Sequence, residues 1–207
     1  MPGWQSLHDE LGPDFTVLGV VLDTSADAIR PYVEKSGASF PILVDPEHHV
    51  GHLFGIINIP TVVWIDETGT IVRPPRIEYG TNLWQELTGA DCAPHMDALR
   101  AWVRTGEVGM TSEEACAGQV PPTFDEQLAR AEFALAWHLH SRGDQRAAEP
   151  HFARAEELAP HDWTIRRGSM PIRGEDPMGE RFFELYQEHQ AAGRPSYPEF
   201  AAARRKD

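Results

Sequence analysis

Ile56-Ile57-Asn58-Ile59-Pro60-Thr61-Val62-Val63-Trp64-Ile65-Asp66-Glu67-Thr68-Gly69-Thr70-Ile71-Val72 is the stretch that decides the fold. Thr61–Asp66 is a β-branched and aromatic run that starts directly after a proline, where a strand tolerates one. Glu67-Thr68-Gly69 has the composition of a tight turn, and Thr70-Ile71-Val72 returns as the second arm of a hairpin.

Working outward from the hairpin, strands alternate with helices. Residues 3–11 place Trp4, Leu7 and Leu11 on one helical face, and Gly12-Pro13 ends that helix. Phe15–Leu22 is a nearly continuous apolar run, as in a strand covered on both faces. Asp23-Thr24-Ser25 can cap a helix reaching about Ser36, with Ala28, Ile29, Tyr32 and Val33 as its buried stripe. Phe40–Val44 reads as a short strand, and a helix follows from Pro46 to near Gly55. Such alternation gives a mixed α/β layer. Pro74–Pro94 reads as a polar loop. A short amphipathic helix, Met96–Val103, precedes a Gly-, Pro- and Ser-bearing stretch, 106–124, that reads as a linker. Beyond it, Leu128, Ala131, Leu135 and Leu139 line one helix and Ala148, Phe152, Ala155 and Leu158 the next, with Gly143-Asp144 as the turn. A last helix runs from Met178 to Gln190. Asp162–Pro171 yields no reading from spacing.

Composition narrows the function classes. The chain has 207 residues, a hydrophobic content of 41% and a formal net charge of −14. That charge opposes nucleic acid and anionic lipid as partners, since both need clustered Lys and Arg. No apolar run reaches the roughly 20 residues that span a bilayer. Residues 1–12 are polar and acidic, unlike a signal peptide; the cytoplasm is favoured and the compartment otherwise left open. Cys92 and Cys116 are the two cysteines and form no C-x-x-C; they read as unassigned, surface or structural thiols. His48-His49 with His52 has ligand-like spacing, but no thiolate or third ligand accompanies it, so no metal and no cofactor are expected.

The segments VLGVVLDTS (17–25), FPILVD (40–45) and GHLFGIINIPTVVWIDETGTIV (51–72) together resemble the thioredoxin-like redoxins of the TlpA/ResA and AhpC/TSA type. The resemblance implies an incomplete thioredoxin-like fold, a mixed sheet flanked by helices, over residues 1–105. It implies that Ile59–Pro60 is the family's cis bond, with Ile59, Pro60 and Thr61 forming the loop that pairs with a thiol substrate. A trans proline opening a strand is the alternative. The implied activity is thiol–disulfide exchange or peroxide reduction on a protein thiol or disulfide substrate or electron donor.

That chemistry needs a low-pKa thiolate from a C-x-x-C at a helix start. The opening Met1-Pro2-Gly3-Trp4-Gln5-Ser6-Leu7 is similar to the end of the family's motif W-C-x-x-C-R-x-E-[ML]-P. The reactive Cys, or a selenocysteine encoded by UGA, is therefore expected before Met1, no catalytic residue is assigned here, and this chain alone is expected to be inactive. In the family a central strand lies between the counterparts of Phe15–Leu22 and Thr61–Asp66, so these two are expected either to pair directly or to keep open edges. The alternative function is a non-catalytic protein-binding module.

Residues 129–160 resemble one tetratricopeptide unit through Leu135, Ala136, Gly143, Asp144, Ala148, Phe152, Ala155 and Pro160. Residues 125–207 are accordingly expected to form an α-helical repeat-like tail able to hold a protein partner.

Overall fold

The structure, a computed structural model, describes residues 2–22, 25–57, 59–76, 82, 91–117, 121–170, 172, 174–176 and 179–191. The chain divides near residue 118 into two compact units. No helix among the described residues is long and apolar enough to cross a membrane.

In the first unit, α1 (Pro2–Leu11) buries Leu7 and Leu11, one turn apart, at 1% and 7% exposure. Strand β1 (Gly19–Val21) pairs in parallel with β2 (Ile42–Val44), Gly19 opposite Ile42. The strand expected over Phe15–Leu22 is thus three residues long. Nor is it covered on both faces: its residues are half-buried and Leu18 is 56% exposed. Helix α2 (Ala26–Ser36) starts where Ser25 Oγ accepts from Ala28 N–H at 3.2 Å and ends at Gly37, whose φ of 67° suits glycine. Of its expected stripe Ile29 is buried and Val33 half-buried, whereas Ala28 is exposed and Tyr32 is 75% exposed. One i, i+4 pair is all that this short helix tucks in.

The helix expected from Pro46 is α3 (His49–Leu53). Its start is set by Asp45, 7% exposed, whose Oδ1 and Oδ2 accept from His49 N–H at 2.9 Å and Val50 N–H at 2.8 Å. His48 turns the chain in the left-handed region, φ 57°. Burial pushes the His48 imidazole below its ordinary 6.5, with Asp45 pulling the other way. A histidine depressed in the folded state makes the unfolded chain the better proton binder, so stability falls as pH drops through 6.5 and levels off below the folded value. His48→Asn, which tolerates the left-handed turn, is expected to flatten the change in melting temperature between about pH 7.5 and 5.5. Thermal scans of both proteins check this, and equal slopes would rule it out.

Strand β3 (Val62–Ile65) pairs antiparallel with β4 (Ile71–Arg76). The turn is held by Asp66, whose Oδ1 accepts from Thr68 N–H, Thr70 N–H and Thr68 Oγ1 at 2.9, 2.9 and 2.7 Å. These hydrogen bonds, Thr68's hydroxyl first, hold its carboxyl below the usual range. Contrary to the loop expected from Pro74, β4 continues through Pro74 and Pro75. Its register against β3 shifts between Val62 and Ile65, and such an irregularity accommodates residues that cannot donate to the ladder. Among the described residues β1–β2 and β3–β4 are separate two-stranded ladders, and β1 does not pair with β3.

Helix α4 (Ala93–Thr105) extends the expected Met96–Val103 at both ends and buries Leu99. Glu10 of α1 accepts from Arg100 at 2.9 Å and Arg104 at 2.6 Å. Within 106–124, the expected linker, lies α5 (Ser112–Ala117). Its start is a reciprocal cap: Glu114 N–H donates to Thr111 Oγ1, and Thr111 N–H donates to Glu114 Oε2. It packs on β4.

The second unit is helical. Thr123 and Glu126 form a capping box at the head of α6 (Phe124–Ser141). Gly143, φ 84°, makes the turn into α7 (Gln145–Leu158), which packs back on α6. Ala148, Phe152 and Ala155 are buried as expected, and Leu139 and Leu158, half-buried, pack against them, but the rest of the expected α6 stripe is rotated. Ala129, Phe133 and Ala136 face the core, while Ala131 is exposed and Leu135 is 42% exposed. Alanines on both helices let the backbones approach, and the rings of Phe133 and Phe152, edge-on at 5.6 Å, fill the remaining space. Asp162–Pro171, silent in sequence, contains α8 (Trp163–Ser169), capped by Asp162 Oδ1 accepting from Thr164 and Ile165 N–H. Helix α9 (Glu180–Ala191) follows. Met178, the expected start, lies outside the described residues.

Candidate functional site

The segment Ile59-Pro60-Thr61 leads directly into β3. The Ile59–Pro60 bond is cis. Ile59 is 58% exposed, Pro60 is exposed and Thr61 half-buried. An apolar side chain is thus offered to solvent at the head of a strand that is otherwise firmly anchored.

Trp64 supplies the anchor. It is 3% exposed and shares a cluster with Leu7, Leu11 and Leu99, so α1, β3 and α4 meet at its ring. Trp102 stacks on it with centroids 5.4 Å apart and planes at 9°. The guanidinium of Arg73, from β4, lies over the same indole at 4.1 Å. Arg73 is 6% exposed, and its Nη2 and Nε donate to the Val108 carbonyl at 2.6 and 3.1 Å. A desolvated cation over a tryptophan face is a strong instance of its kind. Gly109 adjoins this contact: its φ is +68°, and a Cβ there would stand 3.0 Å from Arg73 Nη2. The Trp64–Trp102–Arg73 lock escaped the sequence reading. Arg73 follows the hairpin as an ordinary charged residue, and its acceptor lies 35 residues away.

Cys92 and Cys116 are both free thiols. Cys92 is half-buried just before α4, with its N–H donating to Asn82 Oδ1 at 2.7 Å, and Cys116 is exposed on α5. The structure does not join them. Among the three histidines, His48 forms the turn before α3 and His49 pairs with Glu47 at 3.3 Å. Among the described residues no group of three or more His, Cys, Asp or Glu could hold a metal ion.

Residues 1–73 match the model of the AhpC/TSA family. The match ends within β4 and covers α1, both ladders up to Arg73 and the Ile59-Pro60-Thr61 loop, and it supports a thioredoxin-like redoxin reading of that part of the chain. No curated protein and no solved structure matches the chain.

Proposed function

We propose that the first unit holds a protein thiol or disulfide in the Ile59-Pro60-Thr61 loop, as a redoxin-type domain does, and that neither Cys92 nor Cys116 is the nucleophile. The observation that carries this reading is the AhpC/TSA match over residues 1–73, which contains an apolar loop exposed at Ile59. An extended cysteine-bearing segment laid along the head of β3 would cover that side chain. Thiol–disulfide exchange runs by thiolate attack through a mixed disulfide, and peroxide reduction by redoxins likewise begins with a thiolate. The chain carries two cysteines and no C-x-x-C, so its own part in such chemistry is to bind and orient. The helical unit, in this reading, is a tetratricopeptide-like partner-holding module built on Ala136, Ala148, Phe152 and Ala155.

Two measurements test the reading. Insulin reduction by dithiothreitol and consumption of hydrogen peroxide are expected to be the same for the chain, for Cys92→Ser/Cys116→Ser and for buffer. Turnover that disappears with either cysteine would show a relocated active site. For binding, oxidised insulin is titrated into the chain. Fully burying an isoleucine is worth about 1.5–3 kcal/mol; roughly half of that corresponds to about a four- to tenfold change in affinity, and a buried carboxylate adds a desolvation cost. Ile59→Glu is therefore expected to weaken binding by about tenfold or more. Unchanged affinity would remove the loop from the site.

A further inference from the structure

Helix α6 carries two apolar faces, and the core of the helical unit uses one of them. Ala129, Phe133 and Ala136 are buried in the cluster shared with α7. Phe124, Leu128, Ala131 and Leu135 are turned away from it: Phe124 is 77% and Leu135 42% exposed, Ala131 is exposed and Leu128 half-buried. These four are spaced by four, three and four residues, and His138 and Arg142, both exposed, continue the series by three and four. A helix face that repeats every 3.5 residues is the seam along which a second helix packs. The shape of the face therefore calls for a helix laid along it.

The seam also has a direction. Phe124 and Asp125 stand at its head, His138 and Arg142 at its foot. Laid antiparallel on a copy of itself, it sets head against foot twice. Each meeting brings an aromatic ring to a guanidinium and a carboxylate to a cation, and the two helix dipoles oppose favourably. Ala131 then falls near the centre, where a small side chain lets the backbones approach, and Leu135 of each copy packs beside it. Glu132 also lies near that centre and would repel its own copy, but its Oε2 is engaged by His151 Nδ1 of α7 at 2.6 Å.

We propose that this face of α6 is a dimer surface whose occupant is the α6 of a second copy of this chain, packed antiparallel. A face matched to itself in this way has two-fold symmetry, so association closes at two copies. Helix α6 has 18 residues and is about 27 Å long. A seam of that length covers less than the ~1,200 Å² of a stable complex, which sets the dissociation constant on the order of 0.1 mM. The net charge of −14 opposes pairing at low ionic strength, so the dimer is favoured where salt screens it. The proposal concerns the helical unit alone and is independent of the thiol-binding reading of the first unit.

The test is sedimentation equilibrium of the full chain between about 10 and 500 µM, at about 0.15 M salt, with dithiothreitol present so that Cys92 and Cys116 link no copies. A monomer–dimer equilibrium is expected. Leu135→Glu puts a carboxylate at the centre of the seam and should raise the dissociation constant more than about tenfold, with the helical circular-dichroism signal kept. Arg142→Asp, a change at an exposed position, should raise it about tenfold, because the contact is made twice. Adding Asp125→Arg to Arg142→Asp should restore dimerisation to within about threefold of the unaltered chain. A chain that stays monomeric throughout the range overturns the proposal. So does a dimer unaffected by Leu135→Glu, or an Arg142→Asp defect that Asp125→Arg does not repair.

Discussion

Trp64→Ala is expected to cost the first unit about 3–5 kcal/mol, as removal of a core aromatic does. Small domains have only about 5–15 kcal/mol in total, so this one change takes a large share of what keeps the unit folded. The reason lies in how many elements use the ring. Leu7 and Leu11 from α1 and Leu99 from α4 share its cluster, and Trp102 stacks on it. Arg73 is more exacting still. With the indole gone, a guanidinium 6% exposed would keep its hydrogen bonds to Val108 but lose the face beneath it. A buried charge with an incomplete environment is among the costlier things that a mutation can leave behind. In a unit of this size the melting temperature should fall by more than about 12 °C. Trp64→Phe keeps a ring under Arg73 and should fall by less than half as much. Thermal unfolding by circular dichroism, with hydrogen exchange read over β3 and α4, measures both; a shift below about 4 °C for the alanine variant would contradict the account.

The second large effect is expected at Phe152. It is 2% exposed, its ring meets Phe133 edge-on, and it stands between Ala148 and Ala155, which are 2% and 0% exposed. The space which Phe152→Ala would open lies inside the core cluster, between the closely packed α6 and α7 and against the side chains of Phe133 and Ile165. Under those conditions the cavity cost approaches its upper range, about 3–5 kcal/mol. Phe152→Leu, which restores most of the volume, should recover more than half of the loss. Loss of helical signal and of exchange protection along α6 and α7 reports the effect. If the alanine variant retains both at 25 °C, the two-ring core is not what holds this hairpin.

Both predictions turn on side chains whose importance was unevenly visible in the sequence. The hairpin around Asp66 was plain, because β-branched runs on either side of a glycine-bearing turn have few other solutions. That Pro60 stands at the head of a strand was legible too, whereas the cis Ile59–Pro60 bond was implied only by the resemblance. Pro74 and Pro75 misled, since their inability to donate argues for a loop unless a register shift excuses it. Helix α5 was hidden by the Gly, Pro and Ser around it, although Thr111 and Glu114 carry its capping signature. The stripe of α6 was read a step out of phase because leucine outweighs alanine in any hydrophobic pattern, whereas close helix contact favours alanine. Arg73 could not have been found at all. Its role depends on Trp102 and Val108 arriving from distant chain, and no local spacing encodes that.

Gly109 gives this lock a further meaning. Its left-handed backbone disfavours any side chain there, and the space that one would occupy is already taken by the guanidinium of Arg73. A larger residue at 109 must accept a left-handed backbone and displace the Arg73 guanidinium by a few tenths of an ångström from its place over Trp64. A shorter residue at 73 in turn leaves Trp64 uncovered. The three positions are therefore energetically coupled, and the cost of changing 73 and 109 together is expected to differ from the sum of the two single changes.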